Sequence, residues 1–227
     1  MRTIAISDIH GCYKELKNLI LTLEKKGEYN KETDKLVFLG DYIDRGEDSR
    51  LVIEYIRGLQ KNNDNVIALM GNHEDMLLNY LDGIDSNWLY NGYKDTMISY
   101  KGFDKQFDDD IEWMENLPLY HEDEYFIYVH AGVDVDKPME QQKKNTLLWI
   151  REPFIYNTKK YHKRIVFGHT PTVNLNCEYK PVYTETNNID IDTGCVYGGS
   201  LSALIIDDDK IIKTYQVHKE KKNWMYN

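Results

Sequence analysis

Six side chains able to bind metal ions stand at the ends of short apolar runs. They are carboxylates, imidazoles and one carboxamide: Asp8, His10, Asp41, Asn72, His130 and His169. Neutral imidazole combined with carboxylate and amide oxygens suits manganese, iron or zinc better than calcium. Six ligands are too many for one catalytic ion with an open position, and they suit two ions that share one carboxylate. The residues therefore predict a centre of two divalent ions.

Each of these residues also has a structural interpretation when it is taken alone. A single histidine after a strand, such as His130 or His169, is usually a hydrogen-bonded loop residue. Asp8 or Asp41 alone could cap the helix that follows it. The metal interpretation rests on the whole set, because every member follows an apolar run in the same way.

The apolar runs alternate between strand and helix periods, which indicates how the side chains are positioned. In chain order the first 80 residues predict a strand at 3–7, a helix at 16–23, a strand at 36–39, a helix at 51–59 and a strand at 66–70. This βαβαβ series predicts parallel strands joined by crossover helices, and therefore an α/β fold. Ligands bind at the carboxyl ends of such strands, so the polar loops there should converge on one site.

The rest of the chain extends this arrangement without a linker that would separate a second domain. Residues 82–124 predict a helical insertion whose aromatic side chains we interpret as packing, within a single domain over 1–227. Strands at 126–129 and 165–167 lead to the later histidines. Beyond Pro171, short runs at 179–184, 189–192, 201–206 and 211–217 predict antiparallel hairpins.

Composition narrows the classes of partner. The 227 residues include 28 basic and 38 acidic side chains, which gives a formal charge of −10. This charge disfavours extended nucleic acid and anionic membranes as partners, and no apolar run approaches the ~18 residues of a membrane span. Cys12, Cys177 and Cys195 show no CxxC spacing, so we expect neither a disulfide framework nor structural zinc, and a reducing cytoplasm is the expected location.

Taken in order, the polar strand ends resemble the signature of the phosphoprotein phosphatase family of calcineurin-like metallophosphoesterases. The motifs are DIHG at 8–11, GDYIDRG at 40–46, GNHE at 71–74, HAG at 130–132, Arg151 and GHT at 168–170. The compact length is similar to the bacteriophage lambda and bacterial serine/threonine phosphatase branch. The resemblance implies a β-sandwich of two mixed sheets flanked by helices.

The resemblance also implies how the ligands divide between the ions. Asp8 and His10 would bind one ion, Asp41 would bridge both, and the second ion would be bound by Asn72, His130 and His169. Mn²⁺ is the expected metal, with iron or zinc as alternatives. Two such ions lower the pKa of a bridging water, so that hydroxide can attack phosphorus directly.

The same resemblance implies roles for the residues around the ions. His73 would act as general acid, and Asp44 would orient it. Arg45, Arg151 and Asn72 would bind the phosphate oxygens, since planar guanidinium groups suit that task. Glu74 is expected to cap or pack locally.

For the substrate, we expect phosphoserine and phosphothreonine on a protein or peptide. The alternative is symmetrical cleavage of diadenosine tetraphosphate, a dinucleoside polyphosphate, because the segment 192–199 resembles both groups of enzymes. A non-catalytic scaffold with the same fold is a further alternative, although every ligand and the acid are retained. Ser7 stands where these phosphatases usually have glycine.

Overall fold

The computed structural model describes residues 1–61, 63–84, 86–102, 104–176 and 178–219. The strands within these ranges are β1 (Arg2–Ile6), β2 (Lys35–Phe38), β3 (Val66–Ala68), β4 (Tyr120–Glu122), β5 (Phe126–Val129), β6 (Arg164–Phe167), β7 (Val182–Tyr183), β8 (Ile189–Asp190), β9 (Ser200–Asp207) and β10 (Lys210–His218). The α-helices there are α1 (Tyr13–Lys25), α2 (Ser49–Gln60), α3 (Asn72–Leu81), α4 (Tyr93–Tyr100), α5 (Lys105–Glu115), α6 (Lys144–Trp149), α7 (Glu152–Ile155) and α8 (Val173–Asn176).

These strands form two mixed sheets. The first has the order β10-β9-β1-β2-β3, in which β1, β2 and β3 are parallel and β9 runs antiparallel to β1 and β10. The second has the order β4-β5-β6-β8-β7, with β5, β6 and β8 parallel and antiparallel strands at both edges. The two mixed sheets flanked by helices that the resemblance implied are thus confirmed.

Alternate strand residues enter different apolar layers, because side chains along a strand point to opposite faces. Ile4 and Ile6 of β1 belong to a cluster with Leu16 of α1 and Val52 of α2. Ala5, between them, belongs to the layer shared by both sheets. The core therefore holds the first sheet between its helices and the second sheet, which fixes the carboxyl ends of the parallel strands.

Helix α3 was not predicted, because the sequence analysis placed the GNHE motif in a loop. Among its apolar residues Met76 and Leu77 are buried, but Leu81 is 42% exposed, so the helical period is weak. The Glu74 side chain instead accepts a hydrogen bond from the Gly71 N–H at 3.0 Å, as in a capping box. Local capping and tertiary contacts, more than periodicity, define this helix.

The predicted C-terminal hairpins are present, but they belong to different sheets. β7 and β8 pair antiparallel in the second sheet, and β9 and β10 pair antiparallel in the first. Cys12 and Cys195 are buried free thiols, whereas Cys177 lies outside the described residues. Over the described ranges, no helix has both the length and the apolar character needed to cross a membrane.

Candidate metal centre

The loops that follow the parallel strands adopt backbone conformations that favour glycine. Six non-glycine residues of these loops have positive φ angles between 44° and 69°: Asp8, His10, Asp41, Asp44, Arg45 and His169. A left-handed conformation costs an L-residue about 1–2 kcal/mol. All six are residues singled out from the sequence, so strain concentrates where the site residues are held by surrounding structure.

Two glycines allow the loops to approach each other. A Cβ atom at position 46 would lie 1.9 Å from the carbonyl oxygen of His10, and one at position 71 would lie 2.2 Å from Oδ1 of Asp41. Both distances are far shorter than any non-bonded contact, so neither position tolerates a side chain without displacing a neighbouring loop. The glycines of the second and third motifs therefore bring the candidate ligands together.

The two carboxylate oxygens of Asp41 face two different groups of histidines. Oδ2 lies 3.4 Å from Nε2 of His10, and Oδ1 lies 3.5 Å from Nε2 of His130. The Nδ1–H of His10 donates to the carbonyl oxygen of Ile43 at 2.8 Å, which leaves its Nε2 as an acceptor. Asp41 is thus placed between two sets of possible ligands, which is the geometry that a bridging carboxylate requires.

The second set consists of one amide oxygen and two imidazole nitrogens that lie within hydrogen-bond distance of one another. The Nδ1–H of His130 donates to the carbonyl oxygen of Leu39 at 2.9 Å, so its Nε2 carries a lone pair. That nitrogen lies 2.9 Å from Oδ1 of Asn72 and 3.2 Å from Nδ1 of His169. On the other side of the His169 ring, Nε2 is buried and lacks a hydrogen-bond partner within the described part of the chain. Protein groups alone do not satisfy this cluster, and a cation fits it.

The electrostatics of the cluster agree with this interpretation. Burial, as the largest cause, lowers the pKa of His10, His130 and His169, so these imidazoles are neutral. Burial and then the neighbouring charge of Asp8 raise the pKa of Asp41 well above its ordinary value. Neutral imidazoles beside crowded carboxylates are the state in which ligands accept a divalent ion, whose charge offsets the repulsion.

Asp8 lies at the same sheet edge but is held differently from the other candidates. Its carboxylate accepts hydrogen bonds from the N–H of His169, at 3.2 and 3.0 Å, and from the hydroxyl of Ser7. The structure does not place its oxygens in the tight groups formed by His10, Asp41 and the later histidines. The serine that departs from the family pattern therefore acts on the orientation of Asp8.

Glu74 connects the second and third motifs in a way that the sequence did not reveal. Besides the Gly71 N–H, its carboxylate accepts hydrogen bonds from the N–H groups of Asp41 at 2.9 Å and Tyr42 at 2.8 Å. It is fully buried. The expected local cap is thus also a long-range contact that holds the Asp41 loop in place.

His73 and Asp44 form a buried pair beside the ligand cluster. Nδ1 of His73 lies 2.6 Å from Oδ2 of Asp44. The Asp44 carboxylate also accepts hydrogen bonds from the indole N–H of Trp88 at 3.0 and 3.1 Å and from the hydroxyl of Thr96 at 2.6 Å. Burial raises the pKa of Asp44 to about 7, while the bonds from Thr96 and Trp88 oppose that rise.

Trp88 and Thr96 belong to the segment 82–124, whose aromatic residues the sequence analysis interpreted as packing. Trp88 does pack against Tyr80 and Tyr93, with ring centroids 5.2 and 5.6 Å away. Its indole nitrogen has the further role of holding Asp44. Only the pairing of a distant tryptophan with a motif carboxylate would have revealed this role, and that pairing is tertiary.

Replacing Trp88 with phenylalanine should move the acidic limb of the activity profile to higher pH. The variant loses a donor that stabilises ionised Asp44, so the pKa of that carboxyl rises by about one unit, and His73 loses its negative partner at a correspondingly higher pH. The kcat–pH profile on an aryl phosphate measures the shift. Trp113→Phe is the matched control, because its indole N–H donates at 2.9 Å to Gln60 away from the site. If the acidic limb of the kcat–pH profile lies at the same pH in Trp88→Phe and in the wild type, the role of Trp88 is packing alone.

Both candidate phosphate-binding arginines lie beside the cluster. Nη1 of Arg45 donates to Nε2 of His10 at 2.8 Å, and its guanidinium lies 5.6 Å from the ring centroid of Tyr197. Nη1 of Arg151 donates to the carbonyl oxygen of His169 and to the hydroxyl of Thr170, both at 2.9 Å. The structure therefore brings two cations to the same place as the ligand cluster.

The cluster opens into a cleft of ≈ 580 Å³ that extends past Arg151. Several of its lining residues were not predicted as site residues, among them Tyr156, Asp192 and Tyr197. Asp192 follows the apolar run of β8. It could therefore have been predicted from the pattern used for the candidate ligands, a polar residue directly after an apolar run. Tyr156 carries no such signal.

Comparison with known proteins identifies relatives for nearly the whole chain. A family model described as calcineurin-like phosphoesterase matches residues 1–198. The protein named bis(5'-nucleosyl)-tetraphosphatase PrpE, asymmetrical, from Anoxybacillus flavithermus is 31% identical, with 88% of each chain covered. The protein of that name from Bacillus subtilis is also 31% identical, with 87% of each chain covered. A symmetrical bis(5'-nucleosyl)-tetraphosphatase from Nitrosospira multiformis is 23% identical, with 94% of this chain and 96% of that protein covered.

Two solved structures share the fold. A crystal structure of a candidate diadenosine tetraphosphatase superposes with a TM-score of 0.74 at 21% identity, covering 96% of this chain and 94% of that one. A Saccharomyces cerevisiae serine/threonine phosphatase superposes with a TM-score of 0.67 at 17% identity, covering 98% of this chain and 82% of that one. At these identities the likeness concerns the fold alone.

The expectation of a serine/threonine protein phosphatase is wrong. The three relatives described above, which match between 87% and 94% of this chain, are named tetraphosphatases, not protein phosphatases. The physical reason is that the motifs around residues 8 to 169 describe how phosphorus is attacked, which both groups of enzymes share. The motifs do not define the group attached to the phosphate, so they do not distinguish a phosphoprotein from a dinucleoside polyphosphate.

Proposed function

The chain belongs to the calcineurin-like phosphoesterase family, and we propose that it hydrolyses dinucleoside tetraphosphates, such as diadenosine tetraphosphate, asymmetrically. The observation that carries this proposal is the near-full-length match to proteins named asymmetrical bis(5'-nucleosyl)-tetraphosphatases. The cleft supports it, because it continues from the ligand cluster past Arg151 and offers room for more than a phosphate group.

As members of this family are metallophosphoesterases, divalent metal ions are implied as cofactors, and the acceptor cluster fits them. We assign one ion to Asp8, His10 and Asp41 and a second to Asp41, Asn72, His130 and His169. Mn²⁺ is the proposed metal, with iron or zinc as alternatives. Such ions, when bound, would offset phosphate charge and lower the pKa of a water so that hydroxide is available near neutral pH.

The arginines bind and orient the tetraphosphate. Arg151 lines the cleft, and its Nη1 is held by the His169 carbonyl and the Thr170 hydroxyl, which fixes the orientation of the guanidinium. Arg45, from the loop of the second motif, and Asn72 line the same cleft. Two guanidinium groups on separate loops can fix a phosphate chain in one orientation before the reaction starts.

His73 supplies the proton that the departing phosphate oxygen needs. Asp44 accepts the Nδ1–H of His73 and so orients the ring, and its carboxylate opposes the lowering of the His73 pKa that burial and the nearby Arg45 and His130 cause. The leaving group is the nucleoside phosphate chain on the far side of the broken P–O–P bond. Proton donation from Nε2 to that oxygen completes the hydrolysis.

The products distinguish the two modes of cleavage. A tetraphosphate that is cut asymmetrically yields a nucleoside monophosphate and a nucleoside triphosphate, whereas symmetrical cleavage yields two nucleoside diphosphates. Asymmetrical cleavage breaks the P–O–P bond next to the phosphate attached to a nucleoside, and attack on either phosphorus of that bond gives these products. We place the attack on the phosphorus attached to the nucleoside, so that the nucleoside triphosphate leaves and one nucleoside lies immediately beside the ligand cluster.

A direct comparison of substrates tests the proposal. The manganese-loaded protein is incubated with diadenosine tetraphosphate or a phosphoserine peptide, and the products are separated by ion-exchange chromatography. We expect kcat/KM at least about 100-fold higher for the tetraphosphate, with AMP and ATP as products. ADP as the product would reject asymmetrical cleavage, and faster release of phosphate from the peptide would reject the substrate class.

A further inference from the structure

We propose that the part of the cleft beyond Arg151 is a nucleoside subsite, in which the ring of Tyr156 stacks on the base attached to the attacked phosphate. This inference rests on the proposed function and names the recognition element that it needs. Tyr156 lines the cleft and is 65% exposed, so one face of its ring is available to a ligand.

The cleft changes its chemical character along its length. Arg45 and Arg151 are the cationic side chains among its described lining residues, and both lie at the end near the ligand cluster. The wall formed by α7 and α8 contributes Ile155, Tyr156, Val173 and Leu175, together with the polar side chains of Glu152 and Asn174. A phosphate chain suits the first part, and an uncharged planar group suits the second.

The far wall is rigid enough to position a base. Ile155 and Leu175 belong to the apolar cluster that contains the second sheet, and Phe154 packs on Phe167 of β6 with ring centroids 5.0 Å apart. Helix α7 begins directly after Arg151, whose carbonyl accepts the N–H of Ile155 at 3.0 Å. The wall and the phosphate-binding arginine are thus parts of one packed unit.

Arg151 and Tyr156 stand at the two ends of α7, and both line the cleft. A phosphate group bound by Arg151 therefore has its own nucleoside within reach of the wall that carries the Tyr156 ring. With the base of the attacked phosphate on Tyr156, cleavage beside that phosphate gives the asymmetrical products.

The test measures binding of two ligands that differ only in the base. Calorimetric titration of the manganese-loaded protein with AMP and with ribose 5-phosphate isolates the contribution of the adenine. We expect AMP to bind about ten-fold or more tightly, and Tyr156→Ala to abolish most of that difference while leaving ribose 5-phosphate unaffected. Tyr156→Phe keeps the ring and should retain the preference.

Tyr183→Ala is the matched control, because Tyr183 is 52% exposed in β7 and does not line the cleft. The inference is overturned if wild-type protein binds AMP no more tightly than ribose 5-phosphate, or if Tyr156→Ala keeps the preference. These outcomes are independent of turnover. The proposed function and the subsite can fail separately. If Tyr156→Ala loses the preference for AMP but the wild-type protein does not hydrolyse diadenosine tetraphosphate, the proposed function is rejected and the nucleoside subsite is retained.

Discussion

Replacement of Asp41 by asparagine should remove most of the bound metal and lower activity on diadenosine tetraphosphate by at least about 100-fold. Its two oxygens face His10 and His130, so the substitution affects both proposed ions at once. An amide binds divalent ions more weakly than a carboxylate and lacks the charge that offsets them. Elemental analysis of the purified variant, beside its kinetics, measures both effects.

Asp110→Asn is the control for loss of a buried carboxylate. Asp110 is fully buried in α5 and accepts hydrogen bonds from Tyr100 at 2.8 Å and Gln106 at 2.9 Å, away from the ligand cluster. That variant should have a lower Tm but an unchanged metal content per folded molecule. A full complement of metal in Asp41→Asn would contradict the bridging assignment.

The Asp41→Asn variant should differ from the wild type in how its stability depends on pH after the metal has been removed from both proteins. The pKa of Asp41 is raised in the folded protein, so the folded state holds a proton that the unfolded state releases. In the metal-free wild type, the stabilisation associated with this proton is complete below the ordinary carboxyl pKa and is lost as pH rises through the raised value. Asparagine has no such charge, so metal-free Asp41→Asn should keep its Tm at neutral pH.

Replacement of His73 by asparagine should lower kcat on diadenosine tetraphosphate by about 100-fold, as expected for loss of a general acid. The variant keeps a side chain able to donate a hydrogen bond but cannot transfer a proton. The decrease in kcat relative to the wild type should become larger along a series of substituted phenyl phosphates as the departing phenolate becomes a stronger base. Steady-state kinetics across that series measure the trend.

The metal content of His73→Asn provides its control, because His73 is not assigned to either ion. We expect that content to equal the wild-type value, in contrast to Asp41→Asn. An equal loss for every leaving group would exclude proton donation. A fall in metal content would instead indicate that His73, which lies 3.9 Å from Oδ2 of Asp41, is a ligand.

The sequence was informative about the candidate metal centre because residues able to bind metal ions follow strands in a repeated pattern. Asp8, His10, Asp41, Asn72, His130 and His169 could be selected from residue type and position, and the parallel strands of an α/β fold explained why they converge. The two-sheet sandwich came from the resemblance, since periodicity alone indicated parallel strands without showing how many sheets they form. Helix α3 was not predicted from the sequence because the helical period of its apolar residues is weak.

The surroundings of those ligands depend on the folded chain. Trp88 and Thr96 reach Asp44 from 44 and 52 residues away, and Glu74 holds the Asp41 loop from 33 residues away. Tyr156 becomes a cleft residue because α7 packs beside Arg151. Such contacts depend on how elements pack, which local patterns do not encode. Residue types and their order were therefore enough to predict a phosphate-directed metal centre, while packing alone placed the α7 wall with Tyr156 in the same cleft.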